Sequence, residues 1–252
     1  DTDCQKLLKE NIHELRLPED EYDLKDLLFK IGLIKIKMSS PSSIEDPNLP
    51  RIYEMYQKNL MAYNAVDFND LIKLPIILFE EHPEILEKYR NRWRYILVDE
   101  YQDTSSMQYR LMKMLAYKHR NISVVGDDDQ SIYGFRGATI ENILNFESNY
   151  KNAKTIRLEQ NYRSTQNILD AANHVIKNNS GRKGKTLWTS KGEGDLIRVR
   201  QLDDQNSEAR FIIDTVNSAV AKHERSNKDF AVLYRVNAQA NAIESALSHA
   251  RI

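Results

Sequence analysis

What this sequence lacks narrows the classes of protein to which it can belong. Its 252 residues include one cysteine, Cys4, which excludes an internal disulfide and fits a reducing compartment. Its six histidines show no spacing typical of metal ligands, so a structural zinc site is not expected. No apolar run approaches the ~20 residues that a membrane-spanning helix needs. We therefore expect a cytoplasmic protein that does not bind membranes.

A strong charge imbalance is also absent. The net charge is −1 although 29% of the residues are charged, so no global basic field attracts nucleic acid and any such contact must be local. Hydrophobic residues make up 41%, which is enough for sizeable cores in one large or two smaller domains. The sequence starts at Asp1-Thr2-Asp3 without an initiator methionine and stops at Arg251-Ile252, which is typical of a piece of a longer chain.

Helices alone are predicted over the first ~60 residues, where apolar residues recur at helical spacing. From residue 67 onward, helices alternate with short apolar segments that predict strands at 95–99, 122–126, 155–158, 196–202 and 230–234. This alternation favours an α/β fold with parallel sheets. The stretch 179–195, rich in glycine, lysine and serine, is predicted to be a long surface connection.

Two adjacent carboxylates, Asp99 and Glu100, follow the apolar run 95–98. Like charges at the end of a strand usually hold a cation and poise a base. In a nucleotide hydrolase the first acid binds Mg²⁺ and the second activates water. The pair therefore predicts chemistry on a nucleoside triphosphate.

A second informative segment, Gly126–Ala138, begins where the next predicted strand ends. Because ligands of open α/β sheets bind outside the carboxyl ends of the strands, this segment and the acidic pair should share one edge. Gln130 offers an amide to a phosphate oxygen or an attacking water. Tyr133, Phe135 and Arg136 suit stacking on single-stranded bases, and ordinary packing is the alternative interpretation.

The third segment is Leu158–Ser164. Ser164 suits the N-cap of a helix that starts at Thr165, which places Tyr162 and Arg163 beside a helix N-terminus where anions are favoured. An arginine there can stabilise a transferring phosphoryl group or can form a structural ion pair.

The segments Asp99–Thr104, Gly126–Ala138 and Leu158–Ser164 resemble, in order and spacing, the UvrD/Rep/PcrA-like superfamily 1 DNA helicases. The runs 64–72 and 230–235 are similar to the same family. The resemblance implies ATP-driven 3′→5′ translocation on single-stranded DNA by two RecA-like domains that bind ATP between them. It also implies ATP and Mg²⁺ as cofactors, single-stranded or 3′-tailed duplex DNA as partner, contacts with repair or replication proteins, and a place in the bacterial cytosol.

The resemblance also assigns roles at the ATP site. Asp99 would coordinate Mg²⁺, and Glu100 would be the general base for the attacking water. Gln130 would contact the γ-phosphate and couple it to DNA. Tyr162 matches a tyrosine that stacks on the adenine, and Arg163 matches the arginine finger of the second RecA-like domain.

The DNA-contacting set follows from the same motif. Tyr133 and Phe135 lie where the family places aromatic side chains against bases, and Phe135 stands at a position that is often tryptophan. Arg136 lies in the matched motif and is assigned to the DNA-binding residues with them.

The Walker A pattern G-x-x-x-x-G-K-[ST] has no convincing match. Gly184-Lys185-Thr186 fits its end, but Asn179 stands at the position of the first glycine and a predicted helix precedes the segment. We interpret Arg182, Lys183 and Lys185 as a solvated basic loop. The family places the phosphate-binding loop upstream of these motifs and its last motifs downstream.

The resemblance thus predicts partial RecA-like, parallel-sheet domains of the P-loop NTPase type with an all-helical insertion. Residues 1–62 would be the insertion, 63–157 the C-terminal half of the first RecA-like domain, and 158–252 the N-terminal part of the second. Missing strands would leave open edges, so the isolated chain is expected to be marginally stable or to self-associate. Without a phosphate cradle it is expected to lack ATPase activity.

Two alternatives stay open. The chain could be a non-catalytic module that binds single-stranded DNA or serves as a scaffold through Tyr133, Phe135 and Arg136. It could also be a piece of a helicase–nuclease of the RecB/AddA type, whose motifs are related.

Overall fold

Three amphipathic helices build a core near the N-terminus: α1 (Thr2–Glu14), α2 (Leu24–Lys37) and α3 (Leu49–Ala62). The computed structural model describes residues 2–37 and 39–252. Apolar side chains on one face of each helix meet in a single cluster, in which Leu8, Ile31 and Ile52 are fully buried. Burying a side chain of this size stabilises the fold by about 1.5–3 kcal/mol. The three helices therefore have enough apolar contact to hold one another.

A buried ion cluster joins α2 to the next part of the chain. The Lys35 ammonium lies 2.6 Å from Asp67 Oδ2 and 2.7 Å from Asp70 Oδ2, and all three side chains are buried. The Tyr56 hydroxyl donates a hydrogen bond to Asp67 Oδ2 at 3.2 Å. Burial, together with Cys4 and Asp67, raises the pKa of Tyr56, so the phenol stays protonated and keeps its role as a donor.

Helices and two short strands alternate after this junction, in the order α4 (Asp70–Glu81), α5 (Pro83–Arg92), β1 (Ile96–Val98), α6 (Ser106–Ala116) and β2 (Ile122–Val124). β1 and β2 are parallel, with Ile96 opposite Ile122 and Val98 opposite Val124. A capping box at Ser105 and Gln108 fixes the start of the crossover helix α6. The predicted parallel pairing of these two segments is confirmed.

The rest of the chain is helical or irregular, with α7 (Glu141–Leu144), α8 (Phe146–Asn149), α9 (Gln166–Ile176), α10 (Gln205–Ala221) and α11 (Ala240–Ala250). The chain divides into two units. The first comprises Asp1–Arg163 and Leu169–Thr189, and the second comprises Ser164–Ile168 and Ser190–Ile252. Within the second unit, α10 and α11 contact each other and bury Ala209, Val216, Ala240 and Ile243.

Three predicted strands are wrong for the described residues, because 155–158, 196–202 and 230–234 form no regular strand. Their apolar side chains are largely exposed, including Leu158, Val199 and Leu233. Alternation and β-branched residues report a preference for extended backbone, but a strand forms only beside a hydrogen-bonded neighbour. The described chain is therefore a helix-rich α/β protein with a small parallel sheet.

The predicted helix over 139–149 is also divided, into α7 and α8 on either side of Asn145.

The interpretation of residues 182–185 as a solvated loop is wrong. Arg182 donates to both carboxylate oxygens of Asp129, and Lys185 pairs with Asp127. The backbone N–H of Lys183 donates to Asp128 Oδ2 at 2.7 Å. Three consecutive acids attract this loop because their mutual repulsion is relieved by cations. These contacts form an ionic clasp, defined here as residues 127–129 with 182–185.

No described helix combines the length and apolar character that a membrane crossing requires.

The Lys35 cluster generates a stability prediction. Lys35→Met leaves two buried carboxylates without a counter-charge, and we expect it to lower the free energy of unfolding by about 3–5 kcal/mol. Lys30→Met is the matched control, because Lys30 pairs with Asp26 on an exposed face. That change should cost at most about 0.5 kcal/mol. Urea denaturation of the purified variants measures both, and equal losses would contradict the buried cluster.

The clasp generates a pH prediction. The hydrogen bond from Arg182 holds the pKa of Asp129 below its ordinary value, with further help from Lys185. This interaction stabilises the fold above the ordinary aspartate pKa of about 3.9 and is lost as the pH falls through the lowered pKa. Arg182→Met should therefore melt at a lower temperature near neutral pH and converge with the wild type in acid. Arg198→Met, at an exposed arginine, is the control, and curves that stay parallel for Arg182→Met would contradict the assignment.

Candidate functional site

The candidate site is built on the carboxyl ends of β1 and β2. The N–H of Val125 donates to the carbonyl of Val98 at 2.8 Å, and the N–H of Tyr101 donates to the carbonyl of Val125 at 2.9 Å. These bonds carry the parallel pairing past the last strand residues and bring both following loops to one edge. The sequence prediction that the acidic pair and Gly126–Ala138 share this edge is confirmed.

Asp99 and Glu100 lie exposed at the end of β1. Glu100 adopts a left-handed backbone conformation with φ of 48°, and its N–H donates to Asp99 Oδ1 at 2.9 Å. The turn directs the chain away from the strand immediately after the two acids. Carboxylate oxygens are the ligands that Mg²⁺ prefers, so the exposed oxygens of Asp99 fit the predicted metal.

Gln102 is a site residue that the sequence analysis did not single out. Its side chain is 1% exposed, and it hydrogen-bonds to Glu100 on one side and to the backbone of Asp127 on the other. A single glutamine within an acidic run carries no signal of burial, so the sequence alone could not reveal these contacts. Gly126 makes room for it, because a Cβ at that position would lie 2.7 Å from Gln102 Oε1.

Gln130 lies on the loop after β2, exposed at the same edge. Its Nε2 donates to Asp127 Oδ2 at 2.8 Å, while Asp127 Oδ1 accepts from the N–H of Asp129 at 3.0 Å. Lys185 of the clasp pairs with the same carboxylate. Asp127 therefore fixes the turn that presents Gln130 and connects it to the basic loop.

Carboxylate oxygens of Asp127, Asp128 and Asp129 lie within 4.8 Å of one another, a spacing that could hold a cation. The cations that the structure places against them are side chains of the clasp, Arg182 and Lys185. The arrangement is therefore an ion-pair cluster of protein groups.

The predicted DNA-binding residues form one exposed surface. The ring centroids of Tyr133 and Phe135 are 6.1 Å apart. The Arg136 guanidinium lies 5.2 Å from the first centroid and 5.4 Å from the second. Gly137, at φ of 89°, ends this turn, and a side chain there would be strained. The structure thus brings two aromatic rings and a cation together, which is the combination that binds stacked bases.

A cleft of about 410 Å³ adjoins this surface and is lined by Phe68, Asn69, Asp103, Tyr133 and Arg136, among others. Phe68 is 75% exposed and adds a third aromatic side chain beside the predicted pair. Its place next to the buried Asp67 is set by the Lys35 cluster, a contact between distant parts of the chain that no local sequence pattern records.

Tyr162 and Arg163 lie before α9, which begins at Gln166 and so one residue after the predicted start. The Tyr162 hydroxyl donates to Gln160 Oε1 at 2.9 Å, and the N–H of Arg163 donates to Asn161 Oδ1 at 2.9 Å. Both side chains are exposed. Their roles at the adenine and at the γ-phosphate stay predictions.

Comparisons with known proteins agree with this arrangement of motifs. The family model described as the UvrD/REP helicase N-terminal domain matches residues 1–151, and that of the UvrD-like helicase C-terminal domain matches residues 156–252.

Curated relatives named ATP-dependent DNA helicase PcrA are similar along most or all of the chain. The protein of Leuconostoc citreum is 44% identical over 260 residues, which cover 100% of this chain and 35% of the relative. That of Staphylococcus epidermidis is 42% identical over 261 residues, and that of Staphylococcus aureus is 44% identical over 253 residues. The chain thus spans about a third of the length of these relatives, 35% in the first of them. With both family models and these relatives in agreement, the chain belongs to the UvrD/REP family of helicases.

Proposed function

We propose that this chain is part of an ATP-dependent 3′→5′ DNA helicase or translocase that moves on single-stranded DNA in replication or repair. One observation carries the proposal. The acidic pair at the end of β1 is hydrogen-bonded through Gln102 to the loop that bears Gln130, and the same loop continues into the exposed surface of Tyr133, Phe135 and Arg136. Groups suited to ATP chemistry and to base stacking therefore lie on two loops that Gln102 connects by hydrogen bonds.

The proposed chemistry assigns a step to each group at the strand edge. Asp99 would hold Mg²⁺, which supplies charge neutralisation at the phosphates when bound. Glu100 would accept the proton of the attacking water, and Gln130 would orient that water or a γ-phosphate oxygen. Tyr162 would stack on the adenine, and Arg163 would stabilise the charge on the transferring group.

In the proposed DNA contact, the protein stacks on the flat faces of the bases and does not hydrogen-bond to their edges. Tyr133 and Phe135 would stack on successive bases, with Phe68 adding a further ring, and Arg136 would add a cation near the backbone. Stacking tolerates any sequence, because every base has a π-face. The surface therefore suits a motor that must move along DNA without stopping at particular sites.

The domain organisation remains part of this proposal. Residues 1–62 would form a helical insertion, 63–157 the second half of one RecA-like domain, and 158–252 the start of another. We also propose action in the cytoplasm on single-stranded or 3′-tailed DNA, together with replication or repair proteins.

The catalytic assignment is tested by Glu100→Gln in the full-length protein that contains this chain. The substitution keeps the shape of the side chain but removes the base, so we expect ATP hydrolysis stimulated by single-stranded DNA to fall at least about 100-fold. Glu10→Gln, on the exposed face of α1, should leave the rate unchanged. The 252-residue chain alone, which has no Walker A pattern, is expected to show negligible hydrolysis. Robust hydrolysis by the Glu100→Gln variant would refute the assignment.

The DNA surface is tested by Phe135→Ala. Loss of one stacked base should weaken binding to a fluorescent oligothymidine by about 1–3 kcal/mol, or roughly 5- to 150-fold. Tyr63→Ala is the control, because Tyr63 is also exposed but lies outside the surface. If both variants bind like the wild type, the surface does not contact DNA.

A second candidate function is supported by the exposed surface of Tyr133, Phe135 and Arg136, because stacking on bases requires no nucleotide. The chain could bind single-stranded DNA without catalysis, through the same aromatic surface. In that case the 252-residue chain should bind the oligonucleotide without nucleotide, and more weakly as salt rises. Undetectable binding at low salt would remove this candidate and leave the first unaffected.

A further inference from the structure

Gln102 is a buried side chain whose hydrogen bonds connect the two candidate motifs. Burying an amide is costly unless each polar group finds a partner. Nε2 donates to Glu100 Oε2 at 2.8 Å and to Asp103 Oδ2 at 3.3 Å. Oε1 accepts from the N–H of Asp127 at 2.9 Å. Both ends of the amide are therefore satisfied, and they are satisfied by different motifs.

The orientation of the amide follows from its surroundings. Its nitrogen faces carboxylate oxygens, which can only accept, and its oxygen faces a backbone N–H, which can only donate. The reverse orientation would lose these hydrogen bonds. No hydrocarbon side chain could replace them, and an ionised glutamate at position 102 could accept from the N–H of Asp127 but could not donate to Glu100.

The backbone around Gln102 holds the side chain in place. The Ser131 hydroxyl donates to the carbonyl of Gln102 at 3.3 Å, and the N–H of Tyr101 donates to the carbonyl of Val125. Gly126 lets the second strand end approach closely, since any Cβ there would collide with Gln102 Oε1. The amide is thus fixed between the ends of both strands.

Glu100, in contrast, has little else to fix its carboxylate. It is exposed, and it has three side-chain torsions to order. A general base contributes to catalysis when it is held within reach of the water that it deprotonates. The hydrogen bond from Gln102 to Oε2 restricts the carboxylate and leaves Oε1 available for a water.

We infer that Gln102 is a positioning residue for ATP hydrolysis, which holds the Glu100 carboxylate and ties it to the loop that carries Gln130. The inference rests on the proposed function. It adds a residue that touches neither nucleotide nor DNA but sets the geometry between the groups that do.

The test compares two substitutions in the full-length protein with saturating single-stranded DNA. Gln102→Leu removes the donor and the acceptor, whereas Gln102→Glu in its ionised form keeps an acceptor for Asp127 and removes the donor to Glu100. Both should lower kcat by about 10- to 100-fold, the loss typical of residues that orient a catalytic ligand. The KM for ATP and the Kd for an oligonucleotide should stay within about twofold, because ground-state binding is not affected.

A transition-state mimic gives a second readout. ADP with aluminium fluoride imitates the transferring phosphoryl group, and its binding should weaken in proportion to kcat in both variants. Gln57→Leu is the matched control, because it makes the same change at a half-buried glutamine on α3. That variant should keep the wild-type kcat. Thermal melting of each variant identifies any loss of fold.

Two results would overturn the inference. One is a kcat for Gln102→Leu within about twofold of the wild type. The other is a loss of kcat accompanied by a lower melting temperature and a raised KM, which would show that Gln102 merely stabilises the loop. A wild-type protein without DNA-stimulated hydrolysis would instead overturn the proposed function, and this inference with it.

Discussion

The parallel pairing of β1 with β2 is the constraint on which the candidate site depends. Because Val98 lies opposite Val124, the two strands end at the same level and their loops leave the sheet side by side. A register shift of one residue would turn every side chain to the other face and would separate Gln102 from Asp127. The backbone pairing of apolar strand residues therefore sets the distances between the candidate site residues on the loops that follow.

Charges are neutralised in two different ways around this sheet. The Lys35 cluster is buried and joins α2 to the start of α4. The free energy lost in removing its charges from water must therefore be offset by short contacts between them. The clasp is half-buried and joins the acidic turn after β2 to residues 182–185. The first fixes Phe68 beside the cleft, and the second fixes the turn that presents Gln130. Both ends of the candidate surface are thus positioned by ion pairs between distant segments.

The sequence predicted what depends on local pattern. Helical spacing located α1, α2 and α3, and the apolar runs before Asp99 and Gly126 located the paired strands. It did not predict what depends on a distant partner. Residues 196–202 alternate like a strand but pair with no described neighbour. The basic residues of 182–185 carry no local sign of pairing, because their acidic partners lie more than fifty residues away. The burial of Gln102 likewise depends on a distant partner, the backbone of Asp127.

Glu100 has a left-handed backbone conformation, which is unfavourable for a residue with a side chain. A left-handed conformation costs a residue with a Cβ about 1–2 kcal/mol relative to the ordinary helical region, and glycine would pay almost none of it. Selection for stability alone would therefore favour glycine at this turn. The glutamate stands at this turn against the preference of its own backbone, so a redesign that placed glycine there to gain stability would remove the carboxylate from the edge of the sheet.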